Sequence, residues 1–230
     1  EDQQDYRPRL RPPVPILTVL DDGSREVGEE IRLRAESYRI GRTEGELRIP
    51  NDGVVSHAHA EIRRIPWKGG FQWHLHDLES RNGTFVRCAR AVIHDQAIII
   101  LGSRRFRFHN PMRPNSPAQE CDETHMVDQA KVPSNGWPSL AETSNQVDVV
   151  RLPLKQESMT LGRLGGGATL EIDDPLLAHK HATLRRMRDG TWMIEAERSR
   201  NGIWVSINTA VLGSNCYFLC GEQQFRFMMP

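Results

Sequence analysis

Arg42 follows Gly41, Ser56 precedes His57, and Arg81 precedes Asn82 and Gly83. These residue types suit a doubly charged oxyanion: a fixed guanidinium fork, a small hydroxyl donor, and an amide that can donate and accept at once. A phosphate monoester, with about −1.5 to −2 charge near neutral pH and three acceptor oxygens, is such a group. Taken singly, each residue has a plainer reading. Gly41-Arg42 is a surface arginine in a glycine turn, Ser56 a loop-capping serine, Asn82-Gly83 a turn pair, and Arg81 either a second cation or a solvated side chain.

What lifts these residues above chance is that they occur twice. Ser80-Arg81-Asn82-Gly83 recurs letter for letter as Ser199-Arg200-Asn201-Gly202, an offset of 119. Ile40-Gly41-Arg42 matches Leu161-Gly162-Arg163, and His57-Ala58-His59-Ala60 matches His179-Lys180-His181-Ala182, at offsets of 121 and 122. Phe106-Arg107-Phe108 and Phe225-Arg226-Phe227 are again 119 apart. Ordered matches at near-constant offset mean two copies of one unit, each long enough for its own core. The expected organisation is a basic, Pro-rich tail over 1–14, a first domain over 15–110, a linker over 111–145 and a second domain over 146–230. The linker is rich in Pro, Ser, Asn and Gln, leans towards disorder, and carries 2 basic against 5 acidic residues.

The elements that must position the site are strands. In Phe71-Gln72-Trp73-His74-Leu75-His76 apolar and polar residues alternate, and Trp192-Met193-Ile194-Glu195-Ala196 repeats the pattern. Further short alternating runs, such as Ala60 to Ile65 and Arg105 to Phe108, are separated by Gly, Asp, Asn and Pro. No stretch keeps a helical period. The expected fold is all-β, two antiparallel sandwiches or barrels in tandem, with binding left to the loops.

The motifs resemble those of the forkhead-associated (FHA) domain: Gly-Arg, then Ser-x-x-His, then Ser-x-Asn-Gly-Thr. The first copy has all three as Gly41-Arg42, Ser56 to His59 and Ser80 to Thr84. The resemblance implies an FHA/SMAD-like sandwich that reads phosphothreonine peptides. It implies Arg42 and Ser56 on the phosphate, His57 close to it, Asn82 on the peptide backbone and Arg81 beside it. Gly41, His59 and Gly83 are then structural, with His59 tying the loops together. The second copy is degenerate. Arg163, His179, Arg200 and Asn201 form a possible second site, but Ala178 replaces the serine and Ile203 the threonine. A lost hydrogen bond to a charged acceptor weakens binding roughly ten- to a hundred-fold, which counts against phosphate binding there. The implied role is a non-enzymatic adaptor, with phosphothreonine proteins and a Ser/Thr kinase or its substrates as partners. The alternative is a phosphate-independent scaffold.

Composition sets the outer bounds. The 230 residues carry 30 basic and 30 acidic side chains, which provides no field for nucleic acid or anionic lipid. The longest apolar run, Ala97 to Leu101, is far short of a membrane span. Four cysteines (Cys88, Cys121, Cys216, Cys220) are too few and irregular for a disulfide framework, so an intracellular, cytoplasmic setting is expected. The His-x-His pairs 57/59, 74/76 and 179/181 lack a third ligand, and no catalytic motif appears, so neither metal, cofactor nor enzyme chemistry is expected. Gly165-Gly166-Gly167 lacks the Gly-Lys-Ser/Thr of a nucleotide loop and reads as a flexible binding loop. In the linker, Thr124 with Val127 three residues on is a candidate self-regulatory phosphosite.

Overall fold

The computed structural model describes residues 13–20, 27–111, 137–144 and 147–229. Thr124, Cys121 and residues 1–12 lie outside them. The first repeat runs β1 (Ile16–Leu20), β2 (Glu29–Arg32), β3 (Ser37–Gly41), β4 (Leu47–Arg48), β5 (Ala60–Trp67), β6 (Gly70–Asp77), β7 (Thr84–Cys88), β8 (Arg90–Ile93), β9 (Ile98–Leu101) and β10 (Arg104–His109). The second follows the same order as β11 (Ser139–Ser144), β12 (Val147–Pro153), β13 (Ser158–Arg163), β14 (Leu170–Ile172), β15 (Ala182–Arg186), β16 (Trp192–Ala196), β17 (Ile203–Ile207), β18 (Thr209–Leu212), β19 (Asn215–Cys220) and β20 (Gln223–Met228). No helix occurs among the described residues. Among the strand pairs described below, pairing is antiparallel except for β3 with β4 and β13 with β14, which are parallel.

The compact units cut the chain differently from the expected 15–110 and 146–230. The first combines Glu1–Val86 with Ile207–Pro230, and the second is Arg87–Ser206. In the first unit, one sheet runs β18-β6-β5-β3-β4. Facing it, β19 lies between β7 and β20, and β20 lies against β1, which carries β2 at the edge. In the second unit, one sheet runs β14-β13-β15-β16-β8. Opposite it, β9 joins β17 to β10, followed by β11 and β12. Each repeat has therefore exchanged its last three strands with the other.

The cores repeat this division. Leu212, Phe218, Phe225 and Phe227 pack with Leu17, Ile40, Trp73 and Leu75, whereas Ile93, Ile99, Phe106 and Phe108 pack with Leu161, Trp192 and Ile194. Trp73 meets Phe227 at a ring-centroid distance of 6.3 Å, and Trp192 meets Phe108 at 6.2 Å, the same contact made twice. The exchange is sterically permitted because the segments are interchangeable: β8 (Arg-Ala-Val-Ile) and β18 (Thr-Ala-Val-Leu) present the same burial pattern. A single residue, Ala89 or Asn208, separates β7 from β8 and β17 from β18. A one-residue connector leaves little chain with which β8 or β18 could fold back onto its own repeat, and short hinges favour exchange of elements.

One boundary is corrected. The expected linker 111–145 contains a strand, β11, whose Leu140 and Ala141 are fully buried. Ser139-Leu140-Ala141-Glu142 places its only two apolar residues side by side, which hides a strand from any reading based on alternation.

Candidate functional site

The loops joining β3 to β4, β4 to β5 and β6 to β7 meet at one end of the first unit, and backbone bonds fix their spacing. Arg42 N–H donates to the Ser56 carbonyl at 2.8 Å, and Glu44 N–H to the His57 carbonyl at 3.0 Å. Gly41 is required for this approach rather than for a turn: a Cβ there would lie 2.1 Å from the His57 carbonyl oxygen. Arg42 thus leaves β3 with its backbone locked against the serine loop. Its guanidinium lies 3.4 Å from His57 Nε2, and Thr43 Oγ1 is 2.7 Å from His57 Nδ1. Since arginine only donates, the ring accepts at Nε2 and its Nδ1–H donates to Thr43.

Ser56 Oγ accepts the Arg81 N–H at 3.0 Å. That contact uses a lone pair and leaves the hydroxyl proton to donate elsewhere. Asn82 Nδ2 donates to the Val54 carbonyl at 2.8 Å, which fastens the β6–β7 loop to the β4–β5 loop. Gly83, at φ +80°, makes the turn that follows. Arg42, Ser56, His57, Arg81 and Asn82 are thereby gathered at one loop end, with His57 and Arg81 exposed.

His59 sits beneath them, fully buried. Its Nδ1 accepts the Ser56 N–H at 3.0 Å and its Nε2 lies 3.2 Å from the Gly83 carbonyl, so the neutral Nε2–H tautomer satisfies both loops. Burial lowers its pKa, outweighing the Gly83 carbonyl and the nearby Asp77 and Asp52. Sequence reasoning overlooked Asp77. Its carboxylate accepts the Ser80 N–H at 3.0 Å and the Ser80 and Thr84 hydroxyls at 2.6 Å each, closing the β6–β7 loop from below. An aspartate at the end of a strand reads as a turn former, so nothing in its spacing marked it.

The second unit keeps the frame and loses the serine donor. Arg163 N–H donates to the Ala178 carbonyl at 2.9 Å, and its guanidinium is 2.6 Å from His179 Nε2. His181 bridges the Ala178 N–H at 3.2 Å and the Gly202 carbonyl at 2.8 Å, and burial likewise lowers its pKa. Asn201 Nδ2 donates to the Leu176 carbonyl at 2.7 Å, and the Arg200 carbonyl accepts from Arg87 at 2.9 Å. The hydroxyl of Ser56 has no counterpart at Ala178. Asp77 and Thr84 are matched by Ala196 and Ile203, and the Ser199 hydroxyl is buried without a partner. Gly165 and Gly167, expected as a flexible binding loop, direct their N–H groups to Glu171 at 3.1 and 2.8 Å, and these bonds lower its pKa.

Both copies match the family model described as FHA domain, at residues 38–102 and 159–219, together more than half of the chain. The chain belongs to the FHA family. No curated protein matches it. Among solved structures, this FHA chain is similar to one described as "Structural and functional analysis of phosphothreonine-dependent FHA domain interactions". The identity is 16% and the TM-score 0.35, over 94% of this chain and 97% of that one. It is also similar to full-length yeast Pml1p, with 22% identity and a TM-score of 0.29 over 32% of this chain and 57% of that one. A third likeness is to Mycobacterium tuberculosis EmbR in complex with a low-affinity phosphopeptide, with 25% identity and a TM-score of 0.27 over 42% and 24%. Among the described residues no cluster of His, Cys, Asp and Glu could hold a metal ion.

Proposed function

We propose that the first unit binds phosphothreonine peptides and that the protein is an adaptor downstream of a Ser/Thr kinase. The observation carrying this reading is the convergence of Arg42, Ser56 and Asn82 on loops locked to one another through His59. Arg42 pairs with the phosphate dianion, Ser56 donates its hydroxyl to a phosphate oxygen, and Arg81 adds positive charge at the rim, with His57 packed beside Arg42. Asn82 holds the peptide backbone. Threonine is favoured over serine through its methyl group, as the family implies. Without phosphate, Arg42 loses its counter-charge and binding collapses.

The test is a titration of the full chain with matched phosphorylated and unphosphorylated threonine peptide libraries. At least a hundred-fold preference for the phosphorylated set is expected, and Arg42→Ala removes it, since hydrogen bonds to a charged acceptor contribute about 1.5–3 kcal/mol each. Equal affinity for the two libraries sinks the proposal. Partner capture that survives Arg42→Ala favours the phosphate-independent scaffold instead.

A further inference from the structure

The second repeat is degenerate at its loops yet complete in its last three strands, and those strands belong to the first unit. We propose that the second repeat acts as strand donor to the first: β18–β20 complete the sandwich that bears the site, and Asp52 is the positioning residue that couples the donated turn to the Ser56 loop. Three site elements touch the donated segment, its connector or its turn. Asp52 Oδ1 accepts the Val54 N–H and its Oδ2 the Glu222 N–H, each at 2.7 Å, so one carboxylate spans the serine loop and the β19–β20 turn. Gly221 in that turn has φ +64°, and a Cβ on it would lie 2.6 Å from Val55 Cγ2 and 2.7 Å from Asp52 Oδ2. The turn is therefore pressed directly under Val55, the buried residue before Ser56. Asp77, which closes the other binding loop, donates its N–H to the Asn208 carbonyl at 2.9 Å. Thr84, bonded to Asp77, lies opposite Cys220 on β19.

The second unit makes the same device in return. Asp174 accepts the Leu176 N–H at 2.8 Å and the Ser103 N–H and hydroxyl at 2.7 and 2.8 Å, with Gly102 at φ +62° against its carboxylate. Two independent copies of an aspartate spanning loop and donated turn make the arrangement a property of the fold rather than of one loop. The role of a repeat without its own serine follows: it supplies Phe218, Phe225 and Phe227 to the core under the first site, and the Gly221-Glu222 turn to its serine loop.

The strand exchange is tested by cross-strand disulfides in the full chain. His76 and Thr209 are directly opposite on β6 and β18, with Nδ1 and Oγ1 3.0 Å apart. His76→Cys with Thr209→Cys is expected to oxidise readily. His76→Cys with Arg90→Cys, the partner in an unexchanged fold, is expected to stay reduced. Formation of the 76–90 bond, or a 76–209 bond forming no faster than that control, overturns the inference. The positioning role rests on the phosphopeptide reading and is tested separately. Asp52→Ala is expected to weaken phosphopeptide binding about ten-fold, with Asp52→Asn intermediate. Asp174→Ala, which removes the same contact from the second unit, leaves that affinity unchanged. Equal loss in Asp52→Ala and Asp174→Ala overturns positioning by Asp52. A 76–209 disulfide in a protein indifferent to phosphate leaves the strand donation standing and defeats only the phosphopeptide reading.

Discussion

Replacing Asp77 by alanine tests whether the β6–β7 loop is held from beneath by charge. Its carboxylate takes the Ser80 N–H at 3.0 Å and the Ser80 and Thr84 hydroxyls at 2.6 Å, and Thr84 is fully buried. Hydrogen bonds to a charged group contribute about 1.5–3 kcal/mol each, and a buried hydroxyl left without a partner costs a further ~1–3 kcal/mol. These contributions overlap within one network, so Asp77→Ala is expected to cost about 3–4 kcal/mol. The second repeat shows which compensation fits the space: Ala196 replaces the carboxylate and fully buried Ile203 replaces the threonine. Adding Thr84→Val to Asp77→Ala removes a buried hydroxyl left to the weakly bonding Cys220 thiol and should recover about 1–2 kcal/mol. The repeats also differ at the serine. Ser80→Ala destabilises, whereas Ser199→Ala, which deletes a buried hydroxyl lacking a partner, is neutral or stabilising. Urea unfolding of the full chain, followed by far-UV circular dichroism, completes the double-mutant cycle. A coupling between Asp77 and Thr84 below about 0.5 kcal/mol refutes the argument, because contacting members of one network must deviate from additivity.

Acid should loosen both units through their buried histidines. Burial lowers the pKa of His59 and His181, while the unfolded imidazole takes its proton near 6.5. Below about pH 6.5 the unfolded chain binds more protons, so this contribution is complete above that pH and falls as pH drops towards the lowered folded values. Melting temperatures should decline between pH 7 and pH 5.5 and do so less steeply in His59→Ala; a flat wild-type profile contradicts the assignment. Gly41→Ala places a Cβ 2.1 Å from the His57 carbonyl oxygen and 2.5 Å from that of Glu44, and neither backbone atom can yield without moving the serine loop. It should cost about 1–3 kcal/mol and weaken phosphopeptide binding, and wild-type affinity in this variant excludes the close-approach argument. Burial pushes the Cys88 and Cys216 thiols up to about 11 and Cys220 higher still. Iodoacetamide at pH 8 should therefore alkylate them only on unfolding, and prompt native labelling of Cys216 counts against that burial.

The repeat made the candidate site legible. Arg42, Ser56 and Asn82 stood out because their neighbours recur at near-constant offset, and hydrogen bonds join the loops that carry them. Half-buried strands were equally plain: Phe71 to His76 alternates because Trp73 and Leu75 face the core while His74 and His76 stack on the outer face. Other features had no local signature. Asp52 and Asp174 recur at an offset of 122, but an aspartate beside glycine or proline reads as a turn former until the N–H from a distant turn is found on its second oxygen. Strand exchange is hidden by the feature that revealed the repeat. Since β8 and β18 carry the same pattern, as do Phe106 to Phe108 and Phe225 to Phe227, either set satisfies either edge and core equally well. Periodicity measures how a segment fits a surface, and two identical surfaces leave the partner undetermined. The decision falls to the connectors. Ala89 and Asn208 are single-residue hinges that leave little chain for folding back onto the same repeat, and the chain continues from one unit into the other. Lengthening both connectors with flexible residues should therefore relax the exchange, which the 76–90 and 76–209 cysteine pairs would register as a change in which bond forms.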